Sequence, residues 1–169
     1  MKMTALRLRA MEPEDLDLLY KIENDRQLWN VGNTNVPYSR YLLHDYIARS
    51  TGDIYTDHQV RLVVENGVGD TVGLADLVNF DAKNLRAEVS IVIIDSYRRN
   101  YYGETALCQL ADYASKTLHL HQLYAIVHHT NTVARHLFKK CGYKETNRLS
   151  DWLYDGTNYH DALMMQKIL

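Results

Sequence analysis

The sequence predicts an α/β fold in which helices flank a mixed, largely antiparallel sheet. Apolar, β-branched runs alternate along the chain with segments whose apolar residues recur at helical spacing. A turn signal at 66–70 separates two of these runs and favours an antiparallel pair. The runs at 86–94 and 123–128 are instead connected through a helix, so we expect them to be parallel neighbours in one sheet.

The elements follow one another without a linker, an internal repeat or a low-complexity tract, so residues 1–169 are predicted to form a single domain. We expect about seven strands, near residues 4–10, 58–65, 72–80, 86–94, 123–128, 143–148 and 159–168. About four helices are expected to flank them, beginning near Pro13, Tyr38, Gly103 and Asn131. In the second of these helices, Tyr38, Tyr41, Leu42 and Tyr46 are predicted to share one face.

The bulk composition argues against several function classes. The 19 basic and 21 acidic residues leave the chain near neutral, which argues against a primarily electrostatic nucleic-acid-binding protein. Because the N-terminus has no apolar signal core and no run approaches a membrane span, we expect a cytoplasmic protein without a membrane partner. Cys108 and Cys141 fall on apolar helix stripes and are predicted to be reduced core residues.

A short polar loop with two arginines follows the strand at 86–94, and Gly103 then opens a helix. The first-turn N–H groups and the positive end of the helix dipole attract an anion. The spacing fits neither a Walker loop nor a dinucleotide-binding fingerprint, because the glycines that those motifs need are absent. The loop is therefore predicted to bind a pyrophosphate group, through the residues Arg98, Arg99, Asn100, Tyr101, Tyr102, Gly103 and Glu104.

The six residues from Arg98 to Gly103 resemble the Arg/Gln-x-x-Gly-x-Gly/Ala motif of the GNAT superfamily of acyl-CoA-dependent acetyltransferases. The first and last positions match, whereas Tyr101 replaces the central glycine and restricts the backbone there. Residues 131–143 are similar to the superfamily helix Asn-x-x-Ala/Ser-x-x-Leu-Tyr/Phe-x-Lys-x-Gly-Phe/Tyr. Residues 155–165 resemble the closing strand of the spermidine and ribosomal-protein N-terminal acetyltransferase branch, so that with residues 6–15 the resemblance covers essentially the whole chain.

The resemblance implies a GNAT-like fold with acetyl-CoA as co-substrate. In that family the parallel strands, here 86–94 and 123–128, splay apart and admit the pantetheine arm of coenzyme A. Backbone groups of Ile91, Val92 and Ile93 would then bond the arm and polarise the thioester carbonyl. The resemblance also implies that Asn131, which is a good helix N-cap, contacts the arm, and that Arg135 and Phe138 flank the coenzyme.

Glu88 is our leading candidate for the general base that deprotonates the acceptor amine, acting through a water molecule. Strand alternation places it on one face with Ser90 and Val92, and it matches the Arg-Ala-Glu pattern of the spermidine branch. The competing interpretation is an exposed strand carboxylate that pairs with Arg86.

Phe138 lies where many superfamily members carry a tyrosine that is thought to protonate the leaving thiolate. Phenylalanine has no proton to donate, so either the enzyme works without an acid, which we favour, or Tyr102, Tyr143 or water serves. His128, at the carboxyl end of its strand, is expected to face the active cleft and is a candidate proton carrier. The other histidines, among them His129 and His160, lack a Cys or Asp/Glu at standard metal-ligand spacing, and no metal is expected.

The acceptor is the least specified part of the reaction. In the family the segment that corresponds to 29–55 covers the acceptor site, and a polyamine would favour several acidic side chains there. The spermidine enzymes carry a Glu-Glu-Pro-Tyr-type run, whereas this chain has Asn35-Val36-Pro37-Tyr38, which lowers the case for a polyamine. Asp45, Asp53 and Asp57 remain, and the sequence leaves open whether they converge. Polyamines, other small amines and a peptide N-terminus all stay open, as does a coenzyme-A-binding or ligand-sensing module with little turnover. Tyr38 and Tyr41 could line the acceptor pocket, and exposed strand edges are expected to support a homodimer or higher oligomer.

Overall fold

A seven-stranded mixed sheet forms the centre of the molecule, as the sequence predicts. The computed structural model describes residues 5–29 and 36–169. The strands are β1 (Leu6–Ala10), β2 (Val60–Asn66), β3 (Thr71–Asp81), β4 (Arg86–Ile93), β5 (Gln122–His128), β6 (Lys144–Tyr154) and β7 (Tyr159–Ile168). They lie in the order β1-β2-β3-β4-β5-β7-β6.

All neighbouring strands are antiparallel except β4 and β5, which are parallel. This parallel pairing joins Arg86 to Gln122, Ala87 to Leu123 and Glu88 to Tyr124. Beyond these pairs both strands continue but no longer pair with each other, so the predicted splayed pair is confirmed. The result is a gap in the sheet that opens beyond Glu88.

Helices cover both faces of the sheet. They are α1 (Leu16–Glu23), α2 (Arg26–Trp29), α3 (Arg40–Arg49), α4 (Ile54–Asp57), α5 (Tyr102–Lys116) and α6 (Thr132–Lys140), and a 3-10 turn at Pro13–Asp15 precedes the first. The four longer helices are those that the sequence predicts. The two four-residue helices, α2 and α4, are too short to produce a periodic pattern.

The core has two parts, one on each face. On one face, Leu107 and Leu110 of α5 pack with Ala87 and Val89 of β4 in the larger cluster. On the other face, α1 and α3 contribute Leu19 and Leu43, against which Val92 of β4 packs. Because side chains alternate along a strand, Glu88 shares the α1/α3 face with Val92.

One helix face and one strand boundary differ from the prediction. In α3 the buried residue is Leu43, and Tyr38 and Tyr46 of the predicted stripe pack against the same cluster. Tyr41 and Leu42 are instead 78% and 54% exposed, so only half of the predicted stripe faces the core. Strand β6 runs to Tyr154, beyond the predicted end at 148, because it pairs with β7 along its length through two irregularities. Residue Thr4 of the first predicted strand and residues 30–35 lie outside the described residues.

The described part of the chain contains no helix that is both long and apolar enough to span a membrane. Cys108 and Cys141 are free thiols, and Cys141 is buried, as predicted for core cysteines. Burial raises the pKa of the Cys141 thiol to about 12, so this group stays protonated and unreactive at neutral pH.

Candidate active site

The predicted anion-binding loop connects β4 to α5. A 3-10 turn at Asp95–Tyr97 follows the strand, and Tyr101 is the N-cap of α5. Tyr101 has φ 63° and Arg99 has φ 65°, both in the left-handed region. The position at which the family motif has its central glycine is therefore a position that needs positive φ, which explains the glycine and makes Tyr101 strained.

The first turn of α5 presents its backbone N–H groups to this loop. The N–H of Thr105 donates to the carbonyl of Tyr101 at 3.0 Å and begins the helical ladder. The amides of Tyr102, Gly103 and Glu104 precede it and have no intrahelical acceptor. A Cβ on Gly103 would lie 3.3 Å from Cδ2 of Leu137 on α6, so this glycine lets the two helices approach each other closely.

The two loop arginines have different environments. Arg98 pairs with Asp95 at 2.8 Å, and its Nε donates to the carbonyl of Ile93 at 3.0 Å, so it holds the loop against the end of β4. Asn100 likewise donates to backbone carbonyls, those of Tyr97 and Arg98, at 3.3 Å each. Among the described residues Arg99 is exposed and has no carboxylate partner, which leaves its guanidinium available for an anion.

The Glu104 side chain does not belong to the anion-binding loop. It is 7% exposed, and its Oε2 accepts from Nζ of Lys140 on α6 at 2.5 Å. Its carboxylate thus links α5 to α6, and only the backbone N–H of Glu104 can serve the predicted coenzyme-binding role.

The gap between β4 and β5 exposes alternate backbone groups of β4. The N–H of Ile94 donates to Val72 on β3 at 2.9 Å, and the register continues without a shift to Ile93–Gly73 and Val92–Leu74. Backbone groups of Ile91 and Ile93 therefore point into the gap. The prediction for Val92 is wrong in this respect, because its carbonyl faces β3 and would lie 2.1 Å from a Cβ on Gly73.

The three predicted coenzyme-binding residues at α6 have different environments. Asn131 is the N-cap, as predicted, and its side chain accepts from the N–H of Ala134 at 3.0 Å. Arg135 donates to the carbonyl of His129 and pairs with Glu145, both through Nη atoms, while its Nε is buried without a partner among the described residues. Phe138 is 5% exposed and packs edge-on against Tyr143. The coenzyme-flanking roles of Arg135 and Phe138 stay predictions.

Glu88 lies where β4 and β5 part. Nδ2 of Asn79 on β3 donates to its Oε2 at 2.8 Å, while Arg86 pairs with Asp81 at 3.0 Å rather than with Glu88. The ion pair of the competing interpretation is therefore not formed. Burial raises the pKa of Glu88 above its usual range, and the hydrogen bond from Asn79 partly opposes this effect. A carboxylate with a raised pKa beside a gap is a suitable proton acceptor.

Glu88 also lines a cleft of about 430 Å³ on the α1/α3 face. Its lining residues are Asn79, Arg86, Glu88, Gln122, Tyr124, Ile126, Trp152, Leu153, Met164 and Gln166. Five strands, β3 to β7, contribute residues to the cleft. The cleft adjoins the narrow end of the gap, so a molecule bound there can reach a group that lies between β4 and β5.

His128 lies at the opposite end of β5 from Tyr124, about 13 Å along the strand from the level of Glu88. Its ring stacks on that of His129 at 4.8 Å and lies 5.0 Å from that of His160, between ring centroids. Burial, together with the charges of His129 and His160, lowers the pKa of His128. Its role as a proton carrier stays a prediction, and it is too far from Glu88 to act on the same proton.

Among residues 5–29 and 36–169, no group of three or more His, Cys, Asp or Glu side chains is arranged to hold a metal ion. The stacked rings of His128, His129 and His160 do not form such a group. Nδ1 of His128 accepts from the N–H of Thr130 at 3.2 Å, and Nε2 of His160 pairs with Asp155 at 2.6 Å.

The family assignment follows from comparison with known proteins. A family model described as an acetyltransferase (GNAT) domain matches residues 5–144. The chain belongs to the GNAT acetyltransferase family. The GNAT resemblance of the sequence is thereby confirmed over most of its length.

Relatives of this GNAT chain are polyamine-modifying enzymes. It is 26% identical over 160 residues to the spermidine N(1)-acetyltransferase of Vibrio cholerae, covering 95% of this chain and 91% of that protein. It is 27% identical over 166 residues to the corresponding protein of Escherichia coli, covering 95% and 84% of the two chains.

Solved structures give the same result. The Vibrio cholerae spermidine N-acetyltransferase in complex with CoA and spermine has a TM-score of 0.85 at 27% identity, with 96% of this chain and 95% of that chain covered. A dodecameric structure of the same enzyme has a TM-score of 0.80 at 26% identity, with 96% and 93% covered. The chain is accordingly an acyltransferase that uses acetyl-CoA and acts on an amine.

The described residues of this GNAT domain fit the co-substrate. The free amides of the α5 first turn and the unpaired Arg99 lie in one loop and can hold a pyrophosphate. Ile91 presents backbone groups in the gap, where the pantetheine arm would lie. When bound there, acetyl-CoA supplies the acetyl group as an activated thioester.

The polyamine ligands that the sequence suggested do not converge. Asp45 pairs with Arg49 one helical turn away, at 2.8 Å. Asp53 caps α4 by accepting from Tyr55 and Thr56, and Asp57 accepts from Thr51. Each carboxylate is committed to its own loop or helix. Tyr41 is largely exposed, and whether Tyr38 lines the acceptor pocket stays a prediction.

Two residues of the site were missed by the sequence reasoning. Asn79 is a polar residue in an otherwise apolar run of its strand. This break in the apolar pattern could have indicated a polar contact with another strand, which the structure shows to be Glu88. Trp152 lies in β6 beyond the predicted end of that strand, in a stretch of acidic and polar residues. A lone tryptophan in such a stretch is typical of a binding surface.

Proposed function

We propose that this GNAT enzyme transfers the acetyl group of acetyl-CoA to the primary amine of a small molecule, with Glu88 as general base. The observation that carries the proposal is the position of Glu88, half-buried at the point where β4 and β5 part and at the edge of a cleft. Burial raises the pKa of Glu88, which makes its carboxylate a stronger proton acceptor than an ordinary glutamate.

Different residues bind the coenzyme and transfer the proton in this proposal. The α5 first turn and Arg99 hold the pyrophosphate, and backbone groups of Ile91 and Ile93 orient the arm in the gap. Glu88 accepts a proton from the acceptor ammonium, directly or through one water. The amine nitrogen then forms a bond to the acetyl carbon as the carbon–sulfur bond breaks. The thiolate leaves without a tyrosine acid at Phe138 and takes up the second proton of the nitrogen, directly or through water, so that the products are the amide and the coenzyme A thiol.

Two acceptor classes come first for testing. Polyamines are supported by the relatives, which are named spermidine acetyltransferases. A peptide N-terminus is the second class, suggested by the sequence pattern of the closing strand. We also propose that the enzyme forms a homo-oligomer, as the dodecameric relative does, and that it is cytoplasmic, where free Cys108 and Cys141 stay reduced.

The test combines coenzyme binding with turnover. We expect calorimetry to detect acetyl-CoA binding that is weakened about tenfold in Arg99→Ala, since one charged contact to phosphate is lost. We expect Glu88→Gln to keep the wild-type affinity for acetyl-CoA but to lower kcat for thiol release by about 10²- to 10⁴-fold. Arg148→Gln, an exposed position outside the cleft, serves as the surface control.

Two results would contradict the proposal. Wild-type kcat in Glu88→Gln would exclude this residue as the base. Acetyl-CoA binding without thiol release for any primary amine would favour instead a coenzyme-A-binding or ligand-sensing module with little turnover.

A further inference from the structure

The wall of the cleft beside Glu88 is largely apolar. Tyr124 and Ile126 of β5, Met164 of β7 and Leu153 of β6 line it. Trp152 lines it too and remains 58% exposed, so its ring is accessible to a molecule in the cleft. An apolar pocket with few polar groups binds the apolar body of a ligand and orients it through those groups.

The polar groups of the cleft are mostly satisfied by one another. Nε2 of Gln166 donates to Oε1 of Gln122 at 3.2 Å. Asn79 donates to Glu88, and Arg86 pairs with Asp81. Glu88 is the only carboxylate among the described lining residues, and Arg86 is the only cation among them. The cleft can therefore neutralise one ammonium group.

Carboxylates in the elements that cover this face are engaged elsewhere. Asp17 of α1 pairs with Arg40 of α3. Glu23 and Asp76 both pair with Arg61, at 2.6 Å and 3.1 Å. A second ammonium in the cleft would lie against the apolar wall or near the Arg86 guanidinium, and both positions disfavour it.

From this combination, and resting on the proposed function, we infer that the preferred acceptor is a monoamine whose ammonium group is carried on an apolar or aromatic body. The ammonium binds Glu88 at the narrow end of the gap. The body lies along Tyr124 and Ile126 and is covered by Trp152. Polyamines bind this cleft less well, because it offers no partner for their second charge.

The experiment compares acceptors that differ in one feature. Pentylamine and cadaverine share a five-carbon chain and differ by one ammonium group, while phenethylamine adds an aromatic ring and spermidine represents polyamines. We expect kcat/KM for pentylamine to exceed that for cadaverine by about tenfold or more, with phenethylamine the best of the four. Calorimetric titration of the same amines into the protein–coenzyme A complex should give the same order, independently of turnover.

Matched variants test the role of the cleft. Trp152→Ala should raise KM for phenethylamine by about tenfold while kcat and acetyl-CoA affinity change little. Tyr154→Ala removes an equally exposed aromatic residue of the same strand that does not line the cleft. This variant should leave KM and kcat for phenethylamine unchanged. Arg86→Gln removes the lining cation and frees Asp81, so it should shift the preference toward cadaverine.

The outcomes separate this inference from the function on which it rests. Turnover with cadaverine or spermidine ahead of the monoamines would overturn the inference and leave the proposed N-acetyltransferase function intact. An unchanged KM in Trp152→Ala would also overturn it. Absence of thiol release with all four amines would overturn the inference, and its absence with a peptide N-terminus as well, despite acetyl-CoA binding, would overturn the proposed function too.

Discussion

At the scale of single residues, Asn79 controls the ionisation of Glu88. The amide of Asn79 donates to the carboxylate at 2.8 Å and so favours its charged form, while burial disfavours that form. Asn79 itself has φ 50°, a conformation that asparagine tolerates better than most residues. The working pH range of the base thus depends on a neighbouring strand.

We expect Asn79→Gly to move the acidic limb of the pH profile of kcat/KM to higher pH. Glu88 accepts a proton only when it is ionised, so activity falls as the pH drops below its raised pKa, and loss of the hydrogen bond raises that pKa further. Glycine keeps the positive φ of this position without strain. Asn84→Gly, which removes only the side-chain hydrogen bond from Nδ2 of Asn84 to Asp81, is the matched control. An unshifted limb in Asn79→Gly would mean that another group sets it.

Tyr101 stores backbone strain in the coenzyme-binding loop. A tyrosine at φ 63° costs about 1–2 kcal/mol relative to a residue that adopts this conformation freely. We expect Tyr101→Gly to raise the free energy of unfolding in urea by about 1 kcal/mol, reduced by loss of the contact between Lys140 and the Tyr101 ring. Acetyl-CoA affinity should stay equal or improve. Tyr101→Ala, which removes the ring but keeps the strain, should not be stabilised, and equal stability of the two variants would contradict the strain argument.

At the scale of secondary-structure elements, an ion network attaches α1 to the sheet. Arg61 of β2 binds Glu23 of α1 at 2.6 Å and Asp76 of β3 at 3.1 Å. Asp76 is 7% exposed, and burial raises its pKa, an effect that the Arg61 charge opposes. This network lies on the face that carries the acceptor cleft, so it sets the position of α1 relative to that face.

Arg61→Met should lower the free energy of unfolding by about 3–5 kcal/mol, because it leaves the buried Asp76 carboxylate unpaired. The unpaired carboxyl binds its proton more tightly in the folded than in the unfolded chain, so the loss should shrink as the pH is lowered. Urea unfolding at several pH values measures both effects. The double variant with Asp76→Leu should recover much of the loss. A single variant within about 1 kcal/mol of wild type would show that the network contributes little.

At the scale of the whole molecule, the short parallel pairing of β4 and β5 divides the sheet. Strands β1 to β4 form one antiparallel unit, and β5, β7 and β6 form another, joined by three residue pairs near Glu88. Helix α5 covers the joint and supplies Leu107 and Leu110 to the core. The active-site gap is therefore a consequence of how two sheet halves meet.

Amide exchange should reveal this gap directly. The N–H of Ile91 points into the gap and that of Val92 toward β3, so in the free protein Ile91 should exchange roughly 100-fold faster than Val92. Coenzyme A should slow exchange at Ile91 and leave Val92 unchanged. Nuclear magnetic resonance detection of both amides provides the comparison within one strand. Equal protection of Ile91 and Val92 in the free protein would mean that the gap is closed.

Features that depend on neighbours in the chain could be predicted from the sequence. Asn131 caps α6, and the loop after β4 leads into a helix that begins near Gly103. The strand alternation also places Glu88 on the correct face. These features follow from local periodicity, capping and turn chemistry, which operate over a few residues.

Contacts between distant segments were decided only by the tertiary structure. The sequence left open whether Asp45, Asp53 and Asp57 converge, and in the structure each is used in local contacts. The backbone of Val92 faces β3, and the Glu104 side chain forms an ion pair between two helices. Asn79 and Trp152 meet Glu88 or its cleft from strands that are adjacent only after folding. The sequence alone determined the family and the fold class and located the loop that we propose to bind the coenzyme, because motifs, periodicity and turn chemistry are local patterns. The character of the acceptor cleft was decided by tertiary structure, because strand pairing and register alone determine which side chains share a wall.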